Sequence, residues 1–310
     1  MRAARPEGPR VVVVGEALVD VVHRADGSVE ELPGGSPANV AITLGRLDRA
    51  PVLVTCLGED SRGARVRGWL EASDVDVRVS PIDRTATALA RLDASGAATY
   101  EFDLGWELVP DAVPAGDVLH VGSIGALLEP GGAAVRDAVR RAAETGHGLV
   151  TYDPNARPSI TRDRDGARAK VEQIVADADV VKVSDEDLAW FYPDVDHFES
   201  AAAWSTAGPA LVVVTAGGEG SVAFRDGARI AQVPVPRVEV VDTVGAGDTY
   251  MGGLIDGLLS LGLDSGAAVA AASSAQIESV CAHAARAAAV TVSRPGADPP
   301  RRDELGRPQG

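Results

Sequence analysis

The chain has 310 residues, a length that predicts two domains, or one large domain with an insertion, at about 150 residues per domain. Hydrophobic residues make up 45% but aromatics only 4%, so Val, Leu, Ile and Ala must build most of the core. With 45 acidic against 29 basic residues the net charge is −16, which argues against a nucleic-acid surface or attraction to anionic lipid but not against small anions, since backbone dipoles can bind phosphate in an acidic protein.

From the N-terminus, Met1–Arg10 leads into Val11–Val14, an apolar run too short for a signal-peptide core. Val19–His23 and Val29–Leu32, around Asp26-Gly27, read as a hairpin. The apolar runs Val52–Thr55, Val118–Val121, Leu149–Tyr152, Val180–Val183 and Leu211–Thr215 are continuous rather than alternating, as expected of strands covered on both faces. Helix-length segments separate them: Pro37–Leu47, Gly63–Ser73, Ala133–Thr145, Gly166–Ala176 and Asp185–Tyr192. The alternation predicts an α/β fold with a mainly parallel central sheet and helices on both faces. Thr85–Asp93 and Ala98–Leu104, around Ala94-Ser95-Gly96-Ala97, break it with a period of two: Ala98, Tyr100, Phe102 and Leu104 share one face of a half-exposed hairpin. The two hairpins, within 17–33 and 84–105, are expected to form a small antiparallel β lid inserted in a domain spanning 11–297. Residues 298–310 are expected to be a disordered tail. The longest uncharged stretch, Ser200–Gly218, is broken by Pro209 and glycines, so no membrane helix is expected. Cys56 and Cys281 lie far apart outside any metal spacing, which favours a reduced cytoplasmic setting. The five histidines are scattered, with structural or surface roles expected, and Walker A, HExxH and GxSxG motifs are all missing.

The densest chemical signal is Asp242-Thr243-Val244-Gly245-Ala246-Gly247-Asp248. It follows a Pro-rich strand region, Val233–Val240, and enters a helical pattern with Met251, Leu254, Ile255 and Leu258 on one face and a stop at Gly262. Gly245-Ala246-Gly247 is therefore expected to be a tight turn at a helix N-terminus, whose exposed amides form an anion site. Asp248 within it is either a helix-start carboxylate or a base placed to take a proton from a hydroxyl attacking a bound phosphoryl group.

The DTVGAGD string resembles the C-terminal signature of the ribokinase/PfkB family of carbohydrate kinases. Gly34-Gly35-Ser36-Pro37-Ala38-Asn39-Val40-Ala41, continuing to Leu57-Gly58-Glu59-Asp60-Ser61-Arg62-Gly63, resembles its N-terminal signature. In this reading Ser36 caps a helix begun by Pro37. The resemblance implies a ribokinase-like fold and ATP-dependent phosphorylation of a sugar hydroxyl, with Asp248 as base and the amides of Gly245, Ala246 and Gly247 as anion hole. It implies sugar binding by Asp20, Gly34, Gly35 and Asn39. Asp153-Pro154-Asn155-Ala156-Arg157 resembles the DPNxR segment of fructokinase-like and 2-keto-3-deoxygluconate kinase-like members, placing Asn155 and Arg157 at the substrate. Lys182 would reach the nucleotide phosphates. Ser184 to Asp187 matches the family's NxxE position with Ser for Asn and Asp for Glu, so Asp187 would act on Mg2+ through water or simply start a helix. Thr215, Gly217 and Gly220 resemble the nucleotide loop, and Ala284–Thr291 with Ser293–Ala297 the adenine pocket. Carbonyls near Asp242 and Thr243 would hold a monovalent cation, K+.

Fructokinase-like members are matched best. The alternatives are a 2-keto-3-deoxygluconate-type sugar-acid kinase, a kinase of an unusual saccharide and, from another class, a non-catalytic sugar- or nucleotide-binding regulator. The expected partners are a sugar and ATP, with no nucleic acid and no membrane. Lid strand edges suggest a homodimer. Few lid cations besides Arg24, Arg84 and Arg91 argue against a phosphosugar.

Overall fold

The computed structural model describes residues 8–23, 27–92, 98–108, 112–145 and 148–308. The chain alternates strands and helices as β1 (Val11–Val14), β2 (Leu18–His23), β3 (Val29–Gly34), α1 (Ser36–Arg46), β4 (Val52–Gly58), α2 (Ser61–Glu71), β5 (Asp76–Ile82), β6 (Thr87–Leu92), β7 (Ala98–Asp103) and β8 (Val118–Gly122). It continues with α3 (Gly131–Thr145), β9 (Leu149–Asp153), α4 (Arg164–Asp177), β10 (Val180–Ser184), α5 (Asp185–Phe191), α6 (His197–Trp204), β11 (Leu211–Thr215), β12 (Ser221–Arg225) and β13 (Ala228–Val233). Four helices close it: α7 (Ala246–Ser260), α8 (Gly266–Ala271), α9 (Ser274–Val292) and α10 (Arg302–Leu305).

Nine strands form the central sheet in the order β13-β12-β11-β10-β9-β8-β1-β4-β5, parallel from β11 to β5, with β12 and β13 antiparallel at one edge. The strand pattern explains the two-faced core. In β1, Val11 and Val13 pack with α1, α7 and α9 residues, whereas Val12 and Val14 pack with those of α3 to α6. From β1 the chain winds outward to β4 and β5, then returns to β8 on the other side of β1. Sheet order thus reverses between β1 and β8, the kind of switch point where open α/β sheets bind ligands beyond the strand carboxyl ends.

The second sheet, β3-β2-β6-β7, is the expected lid. Each hairpin is antiparallel, but β2 and β6 meet in parallel, Val19 opposite Thr87 and His23 opposite Arg91. Phe102 and Leu104 are half-buried while Glu101 and Asp103 are exposed, as the alternation requires. Asp60 ties the lid's base to the body: its carboxylate caps α2 at the Gly63 amide (2.7 Å) and accepts from the Thr85 amide and hydroxyl (both 2.8 Å). The turns expected at Asp26 and at 94–97, together with Arg24 and His147, lie outside the described residues.

Three expectations are corrected. Ser36 does not cap α1: Gly35 is the cap residue, at φ 109°, and the Ser36 hydroxyl is used elsewhere. The Pro-rich segment 234–240 is not strand, because Pro234 and Pro236 lack the N–H a ladder needs. Residues 298–308 do not form a disordered tail. Asp256, fully buried in α7, needs charged partners, and the C-terminal segment supplies one. Arg302 binds both Asp256 oxygens (2.9 and 2.5 Å), Arg49 Nε donates at 2.6 Å and His283 Nε2 lies at 2.8 Å. Burial alone would raise the Asp256 pKa, but the His283, Arg302 and Arg49 contacts outweigh it and hold the carboxyl well below the usual range. Removing one partner of such a buried cluster leaves the others uncompensated. Asp256→Ala is therefore expected to cost about 3–5 kcal/mol in urea unfolding at pH 7.

Candidate active site

Parallel strands deliver the site. Within two residues beyond β1, β8 and β9 lie Glu16, Ser123 and Asn155, and Ser184 and Thr215 end β10 and β11; all line one cavity of about 640 Å³. Leu18, Asp20, Ala88 and Phe102 of the lid sheet line it too, so the lid covers this cavity. A second, mostly apolar cavity of about 340 Å³ lies between the Thr215–Ser221 turn, Val235 to Val240 of the Pro-rich segment, and Ala285, Ala288, Ala289 and Val292 of α9. Thr215, Thr243, Ala246 and Gly247 line both cavities, which meet at the start of α7.

That start is a left-handed Gly245 (φ 74°), followed by Ala246, Gly247 and Asp248. The conformation suits glycine, and a Cβ at this position would also lie 2.5 Å from the Ala297 Cβ. The expected three-amide anion hole is modified: the Ala246 N–H donates to the Thr243 carbonyl at 3.2 Å. At the second and third helical positions, Gly247 and Asp248 have amides without an intrahelical acceptor, the ordinary state of a helix start. Gly247 keeps the approach open; Lys182 Nζ would lie 3.2 Å from a Cβ there.

Asp248 is buried, and three side chains from two other parts of the chain donate to it. The Ser36 hydroxyl reaches Oδ1 at 2.7 Å, Asn39 Nδ2 reaches Oδ2 at 2.7 Å and Asn155 Nδ2 reaches Oδ1 at 3.2 Å. Asn39 uses its amide for this, leaving a buried Oδ1 with no protein partner. Asn155 holds φ 38°, a strained value for a non-glycine residue. Gly34 makes room for Asp20, whose Oδ2 would lie 2.3 Å from a Cβ there. The Asp20 side chain faces the open cavity, and desolvation raises its pKa against the pull of Arg157. Arg157 is exposed at the rim and donates to Asn155 Oδ1 at 2.5 Å.

Lys182 is buried and pairs with Asp153 at 2.9 Å. Burial opposes its charge, but Asp153 and the more distant Asp187 and Asp248 outweigh it and raise its pKa, keeping it cationic beside Gly247. Burial pushes Asp153 up to about 6 despite Lys182. Asp187 serves the helix start: its Oδ1 accepts from the Ala156 amide at 2.9 Å, and it completes a capping box with Ser184. It also lines the cavity, and each oxygen keeps a lone pair, which suits an outer contact to a hydrated ion. Among the described residues no three His, Cys, Asp or Glu side chains cluster as a metal site. Gly217 and Gly220 line the apolar cavity. Asp242 lines neither; its carboxylate accepts from the Val244 (3.0 Å) and Gly296 (2.8 Å) amides, which lower its pKa and fix the turn before Gly245. His120 is buried against Thr151 and pushed down to about 3, first by burial and then by Lys182.

Residues 9–304 match the model of the pfkB family of carbohydrate kinases. The chain belongs to that family. It is 34% identical over 261 residues to a fructokinase of Rhizobium leguminosarum bv. trifolii, covering 80% of this chain and 79% of the relative. A fructokinase from Xylella fastidiosa with bound ATP superposes with a TM-score of 0.84 at 24% identity, over 93% of each chain. A double mutant of the Vibrio cholerae fructokinase, holding fructose, ADP and a potassium ion, gives 0.77 at 27% identity, again over 93% of each. The fold is thus ribokinase-like and the protein is a carbohydrate kinase. No helix among the described residues is long and apolar enough to cross a membrane.

Two cavity residues were given no site role from the sequence, although both lie in strings that resemble the family, Glu16 in Gly15-Glu16-Ala17-Leu18-Val19-Asp20 and Ser36 after the glycine pair. Ser36 looked like a cap because Ser before Pro is a common helix start, and only the fold shows its hydroxyl donated to Asp248. Glu16 carried no spacing signal. It is buried on the cavity wall, its Oε2 accepts from the Gly125 amide at 2.9 Å, and desolvation raises its pKa to about 7 although Ser123, two amides and Arg157 pull it down. An acid raised by folding binds its proton more tightly in the native state. Stability is then lost as pH rises from about 4.5 through 7. Glu16→Gln keeps an acceptor for Gly125 and removes the ionisation. It is expected to be more stable than wild type at pH 8 by about 2–4 kcal/mol, and no more stable at pH 4.5, in urea unfolding at the two pH values.

Proposed function

We propose that the kinase is fructokinase-like, transferring the γ-phosphoryl group of ATP to a hydroxyl of a neutral sugar. The observation that carries this reading is the junction at the start of α7. Gly247 lines both cavities, and beside it Asp248 is held by three donors in the polar, lid-covered one. The apolar cavity suits an adenine and the polar one a sugar, with the γ-phosphate at the helix start between them. The acceptor O–H gives its proton to Asp248 as its oxygen bonds to the γ-phosphorus; the bond from that phosphorus to the bridging oxygen breaks, and ADP leaves. Asn155, the longest of the three contacts to Asp248, is the one an incoming hydroxyl displaces at least cost. Ser36 and Asn39 then keep the carboxylate aimed, and the free Asn39 Oδ1 accepts from the sugar. Asp20 offers two acceptor oxygens to adjacent hydroxyls. Lys182 and the amides of Gly247 and Asp248 offset charge on the transferring group. Mg2+ bound to the phosphates would neutralise their charge, with phosphate oxygens and water as ligands and Asp187 as outer partner. A potassium site at carbonyls around Asp242 and Thr243 belongs to the same reading and is supported by the potassium-bound Vibrio cholerae enzyme.

The electrostatics favour a neutral acceptor over a sugar acid or phosphosugar. Glu16, Asp20, Glu186, Asp187 and Asp248 line the polar cavity against Arg157 and Lys182, and Lys182 is already paired. Of the expected lid cations, the two among the described residues are turned to lid carboxylates, Arg84 to Asp103 and Arg91 to Glu101. The test is ADP release from Mg-ATP with potassium across fructose, 2-keto-3-deoxygluconate, ribose, a nucleoside and no sugar. Fructose-dependent turnover is expected; preference for the sugar acid would overturn the neutral-acceptor reading. Asp248→Asn is expected to lower kcat about 10²–10⁴-fold with an unchanged circular dichroism spectrum, and an active variant would remove Asp248 as base. A homodimer through the lid edge, where Val29 and Leu32 are exposed, is expected to give twice the chain mass in light scattering; a monomeric mass excludes it.

A further inference from the structure

We propose that Glu16 is a further acceptor-recognition residue, binding a hydroxyl of the neutral sugar beside Asp20; the inference rests on the kinase reading above. Three observations carry it. Glu16 follows β1 and Ser123 follows β8, the two strands between which sheet order reverses, so both stand at the switch point, and both line the polar cavity. Ser123 is buried and held at φ 55°, ψ −155°, a strained conformation for a non-glycine residue, and its side chain hydrogen-bonds Glu16. This repeats the arrangement one strand away, where strained Asn155 holds Asp248. Finally, pinning the Gly125 amide requires only a neutral acceptor, which a Gln or a backbone carbonyl supplies without burying a charge. A carboxyl kept on the wall of a ligand cavity, at that cost, offers something a neutral acceptor does not: lone pairs of a charged group beyond those used by Gly125 and Ser123.

The charged groups facing Glu16 in the cavity are Arg157 from the loop after β9 and Asp20 and Asp248 from β2 and α7. With Oε2 accepting from Gly125 and Ser123 also bonded to the carboxyl, the ionised form is the one with lone pairs left for a further hydroxyl. Sugar affinity should therefore improve as pH rises through the titration of Glu16, about 7 in the sugar-free protein.

The experiment is initial-rate ADP release at saturating Mg-ATP, at pH 6 and 8, for wild type, Glu16→Gln and Glu16→Ala. The acceptor is fructose, or whichever panel sugar the wild type turns over. Wild type is expected to show a several-fold lower KM at pH 8 than at pH 6. Glu16→Gln should lose that step, and Glu16→Ala should raise KM about 10–100-fold, the range for losing a hydrogen bond to a charged group, with kcat within about threefold. Glu16→Gln should recover part of the KM lost in Glu16→Ala. A folded Glu16→Ala with wild-type KM, or one losing only kcat and thermal stability, overturns the inference while leaving the kinase reading intact. If Glu16→Ala does not fold, Glu16→Gln decides: a persisting pH step in KM overturns it. No sugar-dependent ADP release by wild type overturns both.

Discussion

The structure depends on placing a carboxylate in the first turn of a helix where almost no water reaches it. A buried carboxylate must be hydrogen-bonded or it will neutralise. Asp248 meets that requirement with Ser36 and Asn39 from the start of α1 and Asn155 from the end of β9, segments far apart in sequence. The N-terminal glycine pair, the Ser-Pro helix start and the DPNxR segment therefore converge on one carboxylate. Each makes sense alone as local backbone chemistry, but their joint purpose is visible only once the fold brings α1, the end of β9 and α7 together.

The helix that carries Asp248 is anchored at both ends. Two turns on, Asp256 is fixed by Arg49 just beyond α1, His283 of α9 and Arg302 of α10. Met251, Leu254 and Ile255 between the two carboxylates, and Leu258 just beyond them, are fully buried, each contributing about 1.5–3 kcal/mol of apolar burial. Close helix packing relies on small residues: a Cβ at Gly252 would lie 2.6 Å from Thr43 of α1, and one at Gly253 would lie 3.0 Å from Ala284 of α9. These helical glycines cost some intrinsic stability. In return α1, which carries Ser36 and Asn39, is held against α7 at a fixed height, and the donors to Asp248 cannot drift. The C-terminal segment thus reaches the site indirectly, by clamping the far end of the same helix.

Much of the fold was legible. The continuous Val/Leu runs became the central strands nearly to the residue, with Val11–Val14 and Leu211–Thr215 unchanged, because a strand buried on both faces has no alternation to confuse with a helix. What was missed has physical reasons. Strands β12 and β13 lie at a sheet edge and mix polar with apolar residues, so they offer no continuous apolar run and are not among the expected strands. The Pro-rich segment reads as extended but cannot donate to a ladder. The C-terminal segment reads as disordered because its composition is polar, and what orders it is pairing across the chain: Arg302 to Asp256, 46 residues away, and Asp298 and the Pro299 carbonyl to Arg46 of α1. Local patterning carries strand and helix type; it carries little about charges paired across the chain.

The site shows the same division. The glycines and Asp248 stood out because a helix start with open amides needs small residues in one short string. Glu16 did not, because one carboxyl two residues past a strand has no periodicity, and its meaning comes from Ser123 and Gly125 over 100 residues later. The strained Ser123 and Asn155 make the contrast concrete. Neither backbone value can be read from residue type, and both follow strands adjacent in the sheet, each turning a polar side chain toward a buried carboxyl at the cavity. Strain of this kind persists where surrounding structure over-determines it. Here it is set against two carboxyls that would otherwise be under-satisfied, so the cost of Ser123 and Asn155 and the cost of burying Glu16 and Asp248 partly offset one another. On that account the cavity's acidity is not incidental: it is sustained by backbone geometry at the carboxyl ends of β8 and β9.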